Sequence, residues 1–105
     1  MRGHGEFSRV YKRGSRHRSG AVTLIVADGD AGPPVVGFVA GKRVGSAVMR
    51  NKAKRRMREA ASRISLKPDT VYVLVAESGV VDANFEQLVS WLGNCVDQGL
   101  VNEET

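Results

Sequence analysis

The chain has 105 residues, 42% of them hydrophobic, with 16 Lys or Arg against 11 Asp or Glu, a net charge of +5 and one cysteine. That length fits one domain, residues 1–105, with a core too small to enclose a large catalytic cavity. The lone Cys95 excludes an internal disulfide and fits a reducing compartment; with no membrane-length apolar run and no signal-peptide core, a soluble cytoplasmic protein is expected.

In chain order, Phe7, Val10 and Tyr11 have helical spacing before Gly14, which predicts a short N-terminal helix. Residues 15–20, SRHRSG, read as a basic loop. Residues 21–27, AVTLIVA, form a β-rich run of the kind covered on both faces. DGDAGPP is a turn, and VVGFVAG, residues 35–41, is a second strand that suggests a hairpin with the first.

Residues 44–64 predict a helix with Met49, Ala53, Met57, Ala60 and Ile64 on one arc. Asn51, Lys54, Arg55 and Arg58 lie opposite, and Lys52, Arg56 and Arg63 flank the apolar stripe. Pro68 and Asp69 mark a turn, and TVYVLVA, residues 70–76, is a strand. ESGVV reads as a loop. Asp82 is the expected cap of a final helix bearing Phe85, Leu88, Val89, Leu92, Cys95 and Val96 on one face. A loose tail is expected from Gln98.

Charge is unevenly divided. Residues 1–63 carry 15 basic and 4 acidic side chains (+11), and residues 64–105 carry 1 and 7 (−6). The helix alone has seven Lys or Arg between Arg50 and Arg63, and Glu59 is the one acid between Asp30 and Lys67. A merely solvated face mixes both signs. Like charges crowded on one helix repel by a few tenths of a kcal/mol per neighbouring pair, so a phosphate backbone is the expected counterpart. Phe7 and Tyr11, one turn apart among Arg9, Lys12 and Arg13, suit either core packing or stacking on unpaired bases. His4, His17 and Cys95 have no metal-ligand spacing, no phosphate-loop fingerprint is present, and no nucleophile–base set stands out. No catalytic residue and no metal ligand is therefore assigned.

At GKRVGSAVMRNKAKRRMRE the sequence resembles the bacterial ribonuclease P protein subunit. That family has an Arg-Asn-Arg helix after a Lys-Lys-Val-Gly-Asn-Ala-Val-like loop. Here the loop reads Lys42-Arg43-Val44-Gly45-Ser46-Ala47-Val48, followed by Arg50-Asn51-Lys52, Lys54-Arg55 and Arg58-Glu59. FSRVYKRG also resembles the family's N-terminal Phe-x-x-Val-aromatic-x-x-Gly. Departures are Lys52 in place of the second Arg, which keeps charge but loses a bidentate fork, and Gly41 where many members have Ser.

The resemblance implies an α+β fold, an α-β-β-α-β-α two-layer sandwich with a left-handed βαβ crossover. It implies a protein that partners ribonuclease P RNA and precursor tRNA, while the RNA, with bound Mg²⁺ as cofactor, removes the 5′ leader. It further implies RNA contact by Lys42, Arg43, Arg50, Asn51, Lys52, Lys54, Arg55 and Arg58, and leader binding by Phe7 and Tyr11. No membrane and no obligate protein partner is implied. The rival readings are a structural RNA-binding module, a DNA-binding domain using the basic helix, and a metal-free nuclease. The last lacks a convergent catalytic set, and no helix-turn-helix precedes the basic helix.

Overall fold

The computed structural model describes residues 14–104; the expected N-terminal helix with Phe7 and Tyr11 lies outside them. Four strands make one sheet: β1 (Ser15–Ser19), β2 (Val22–Asp28), β3 (Val35–Ala40) and β4 (Thr70–Ala76), in the order β1-β2-β4-β3. A 3-10 turn, Lys42–Val44, leads into α1 (Ala47–Ala61); α2 (Gly79–Asp82) and α3 (Phe85–Glu104) follow β4. The architecture is α+β, with β3 and β4 parallel neighbours joined through α1.

The expected hairpin between residues 21–27 and 35–41 is not formed. β4 lies between those strands, antiparallel to β2 with Val22 opposite Ala76, and parallel to β3 with Val35 opposite Val71. The apolar, β-branched character of TVYVLVA explains its central place: a strand hydrogen-bonded on both edges and buried on both faces gains most from such residues. The hairpin is instead β1–β2. Ser19 pairs with Val22, leaving Gly20 and Ala21 as a two-residue turn. Gly20 has φ 57, a left-handed conformation that favours glycine at such turns. Residues 15–19 are thus a strand rather than a loop. His17 faces inward and is buried, while Arg16 and Arg18 point to solvent. The period-two alternation is present but carried by polar side chains.

The sheet has two apolar faces. On one, Val22, Leu24, Val26, Tyr72, Leu74 and Ala76 pack with Ala53, Met57 and Ala60 of α1 and Leu88, Leu92 and Cys95 of α3. The other carries Ile25, Val71 and Val73, with Val35, Val39 and Val75 beside them. α1 lies against β3 and α3 against β1 and β2. Burying the Met57 side chain fully, as here, contributes on the order of 2 kcal/mol.

Four further boundaries differ from expectation. α1 ends at Ala61, so Ile64 packs on the core from beyond the helix, and Ala61 joins the buried stripe that Met49 leaves. ESGVV is not a plain loop, since Val80 and Val81 are the buried core of α2. The cap of the last helix is Asn84, whose Oδ1 accepts from the backbone N–H groups of Glu86 at 2.9 Å and Gln87 at 3.4 Å, while Asp82 closes α2. That last helix continues to Glu104 where a loose tail was expected.

The turn before β4 is where Pro68 and Asp69 place it. Asp69 has φ 61 and its carboxylate accepts from the Gly32 N–H at 2.6 Å, tying the loop after β2 to the strand it must pass.

Candidate nucleic-acid interface

The basic segment is built in two connected pieces. The 3-10 turn presents Lys42 and Arg43 to solvent and buries Val44. Gly45, at φ 135, turns the chain out of it, and its N–H donates to the Lys42 carbonyl at 3.1 Å. Ser46 then caps α1, its Oγ accepting from the Met49 N–H at 3.3 Å. No acidic residue occupies the first turn.

Along α1 the basic side chains, with Asn51, divide into three groups. Asn51, Lys52, Arg55 and Arg58 are exposed, and the Asn51 side chain makes no hydrogen bond to another described residue. Arg50 and Lys54 are half-buried. Arg50 lies two turns before Met57 and so shares the sheet-facing side; its Nε is buried without a hydrogen-bond partner. Arg56 is also half-buried, and its guanidinium is engaged by the chain after β4. Its Nη1 donates to the Val80 carbonyl at 2.9 Å and the Val81 carbonyl at 2.7 Å, and its Nη2 donates to the Ala83 carbonyl. These are carbonyls at the end of α2, where a cation satisfies acceptors the helix leaves open.

Arg58, and Arg63 beyond the end of α1, lie over aromatic rings. Arg58 is 5.3 Å from the centre of Phe38, and Arg63 is 5.0 Å from Phe85. Each contact holds a flat guanidinium over a ring at the surface and contributes roughly 0.5–1 kcal/mol. A guanidinium held this way keeps its N–H edges for phosphate oxygens.

Of the eight expected RNA contacts, the fold therefore places Lys42, Arg43, Asn51, Lys52, Arg55 and Arg58 in solvent on the 3-10 turn and α1. Arg50 and Lys54 lie partly beneath them. Phe7 and Tyr11 fall outside the described residues. A cavity of about 360 Å³ opens beside this face at the C-terminal ends of β3 and β4, lined by Gly41, Lys42, Arg43 and residues 75–78. Glu77 in its wall is paired with Arg18 at 3.1 Å, which offsets its charge.

Arg16 and Arg18 are exposed cations that sequence reasoning set aside as loop residues. By register they share the sheet face of Ile25 and Thr23, opposite α1 and α3. The R-H-R alternation is the signal that would have found them.

Among the described residues no group of three His, Cys, Asp or Glu side chains could hold a metal ion. Nor is any described helix long and apolar enough to cross a membrane. The arrangement can neutralise phosphates over an extended path.

A model of the family described as Ribonuclease P matches residues 1–98. The ribonuclease P protein component of Chloroflexus aggregans is 37% identical over 91 residues, 84% of this chain and 67% of that protein. That of Shouchella clausii is 33% identical over 99 residues, covering 91% of this chain and 81% of its own. The counterpart from Beutenbergia cavernae is 48% identical over 59 residues, so the chain spans about half of that relative's length. Among solved structures, the ribonuclease P protein of Staphylococcus aureus superposes with a TM-score of 0.75 at 22% identity, covering 93% of this chain and 92% of that one. The Thermotoga maritima protein gives 0.76 at 20% identity, with 89% and 90% covered. The two solved structures speak for the fold alone; the family model and the curated relatives carry the assignment, and by them this chain belongs to the ribonuclease P protein family.

Proposed function

We propose that the chain is the protein subunit that binds the catalytic ribonuclease P RNA and the 5′ leader of precursor tRNA, and so promotes Mg²⁺-dependent removal of the leader in the cytoplasm. The observation that carries this reading is the cationic face of the 3-10 turn and α1, on which Glu59 is the one acid, fixed to the sheet by Ala53, Met57 and Ala60 on its far side. Such a face lowers repulsion between two polyanions, the RNA subunit and its substrate, without taking part in bond cleavage. Lys42, Arg43, Arg55 and Arg58 would contact phosphates directly. Asn51 and Lys52 would add hydrogen bonds, and Phe7 and Tyr11 would stack on leader bases.

Among the described residues no group of three His, Cys, Asp or Glu side chains lies together, and the proposed face is cationic. In this proposal the ion is held by RNA phosphates and no step passes through a protein ligand. Hydrolysis belongs to the RNA, and the protein alone is inactive.

The test is reconstitution. Mixed with a bacterial ribonuclease P RNA and a precursor tRNA, the protein is expected to lower the Mg²⁺ concentration needed for cleavage relative to RNA alone. Cleavage at one Mg²⁺ requirement with and without protein, or robust cleavage by protein free of RNA, refutes the proposal.

A further inference from the structure

Among the described residues two large apolar side chains stand in solvent, Val48 at 75% exposure and Met49 at 38%. Isolated apolar residues are ordinary on protein surfaces. These two are consecutive, in the first turn of α1, in the most cationic part of the molecule. Lys42 and Arg43 precede them. Asn51 and Lys52 follow Val48 by three and four residues and so share its side of the helix. No acidic residue occurs between Asp30 and Glu59.

Met49 and the backbone of this first turn are also held in place. A Cβ at Gly45 would lie 3.3 Å from the Met49 Cβ, so Met49 is seated on the bare glycine backbone. Its N–H is bound by Ser46 Oγ, and the Arg50 N–H donates to the Ser46 carbonyl at 2.9 Å. An apolar side chain fixed among cations is matched by a ligand that is anionic and also offers a flat apolar surface. RNA phosphates supply the first property. The base and ribose faces supply the second only where the strand is unpaired, because an A-form duplex stacks its base faces away and displays phosphates and 2′-hydroxyls.

We infer that Val48, backed by Met49, contacts the base or ribose face of an unpaired RNA nucleotide, with Lys42, Arg43 and Lys52 holding the phosphates on either side. The inference rests on the proposed RNA binding and adds to it a discrimination between single and paired strands at a defined point of α1.

The experiment is fluorescence anisotropy of the full chain with a labelled oligouridylate and with a blunt RNA duplex of equal length, across a salt series. Val48→Ala removes two methyl groups and favours the helix, so loss of folding is not expected to confound it. The expected result is roughly 4- to 15-fold weaker oligouridylate binding, the range for half to full desolvation of two such groups. The salt dependence should be unaltered, because no phosphate contact is lost, and duplex binding should be unchanged. Unaltered oligouridylate binding overturns the inference. So does equal weakening on both ligands, a loss accompanied by a shallower salt slope, or a change in the association state of the variant that makes Val48 a protein–protein contact. Failure of the wild-type chain to bind either RNA removes the RNA-binding reading itself, and this inference with it.

Discussion

Replacing Arg56 by alanine separates the two kinds of cation in α1. Arg55 and Arg56 are neighbours in sequence, yet one guanidinium is in solvent and the other donates to three carbonyls at and beyond the end of α2. A hydrogen bond from a charged donor contributes about 1.5–3 kcal/mol, and three do not simply add when the acceptors can be rehydrated. Arg56 is only half-buried, so water can reach part of the site its side chain leaves, and the expected loss is nearer one strong bond than three, about 2–3 kcal/mol. With a urea m-value of about 1.3 kcal/mol/M for a chain this size, the unfolding midpoint should fall by roughly 1.5–2.3 M at constant m. RNA affinity measured below that midpoint should keep its salt slope. Arg55→Ala should do the reverse, leaving the midpoint in place and reducing the slope by about one. If Arg56→Ala were as stable as the wild type and lost a unit of slope, Arg56 would be a phosphate contact and the placement of α2 against α1 would be wrong.

Met57→Asp should abolish the cooperative unfolding transition, because Met57 is wholly buried and an unpaired carboxylate there has no partner; a normal transition by circular dichroism would show that α1 is rotated. Gly20→Ala should cost about 2–4 kcal/mol, from the left-handed backbone and from crowding of a Cβ against the Trp91 ring. Trp91 is the sole tryptophan, so its emission should report the damage at the β1–β2 turn, and an unshifted spectrum with unchanged stability would refute the contact. Burial raises the Cys95 thiol pKa above its ordinary value, with backbone hydrogen bonding at Ser19 and Leu24 offsetting part of the effect. The folded state therefore favours the protonated thiol: its contribution to stability is complete below the unfolded pKa of about 8.5 and is lost as pH rises through the folded value. Urea midpoints from neutral to alkaline pH should fall more for the wild type than for Cys95→Ala, and parallel curves would refute this.

Much of the fold was legible because burial and periodicity coincide. β2, β3, β4 and α1 are all apolar at the spacing their geometry requires, and the sequence placed the three strands within a residue and α1 within three residues at each end. β1 was not legible as a strand because its outward residues are Arg16 and Arg18 and its one inward residue at mid-strand is His17, so alternation carried no hydrophobic signal. The strand order escaped for a different reason. Two apolar runs separated by a turn-rich segment look like a hairpin whether or not a third strand later enters between them, since pairing is a tertiary choice. In the candidate interface, the cationic character of α1 was plain from composition. The fate of Arg56 was not, because it depends on carbonyls of residues 80–83 brought over by the return of the chain after β4. The half-burial of Arg50 follows from the helix phase, but a basic residue on the apolar side reads as an exception until the packing is seen.

The central position of β4 has a consequence for the order of events during synthesis. β1, β2, β3 and α1 all leave the ribosome before the strand that joins them into a sheet. Val35–Ala40 is uncharged, free of proline and strongly β-forming, a composition that pairs readily with other chains while its own partner is missing. Yet all 16 basic residues also precede β4. A nascent chain ending at residue 69 carries the protein's whole complement of cations and no completed sheet, so a polyanion can engage the charge before the tertiary structure exists. Fragment 1–69 should accordingly bind RNA in low salt while lacking a cooperative unfolding transition, and the addition of seven uncharged residues, TVYVLVA, should bring the strands together without adding any cation.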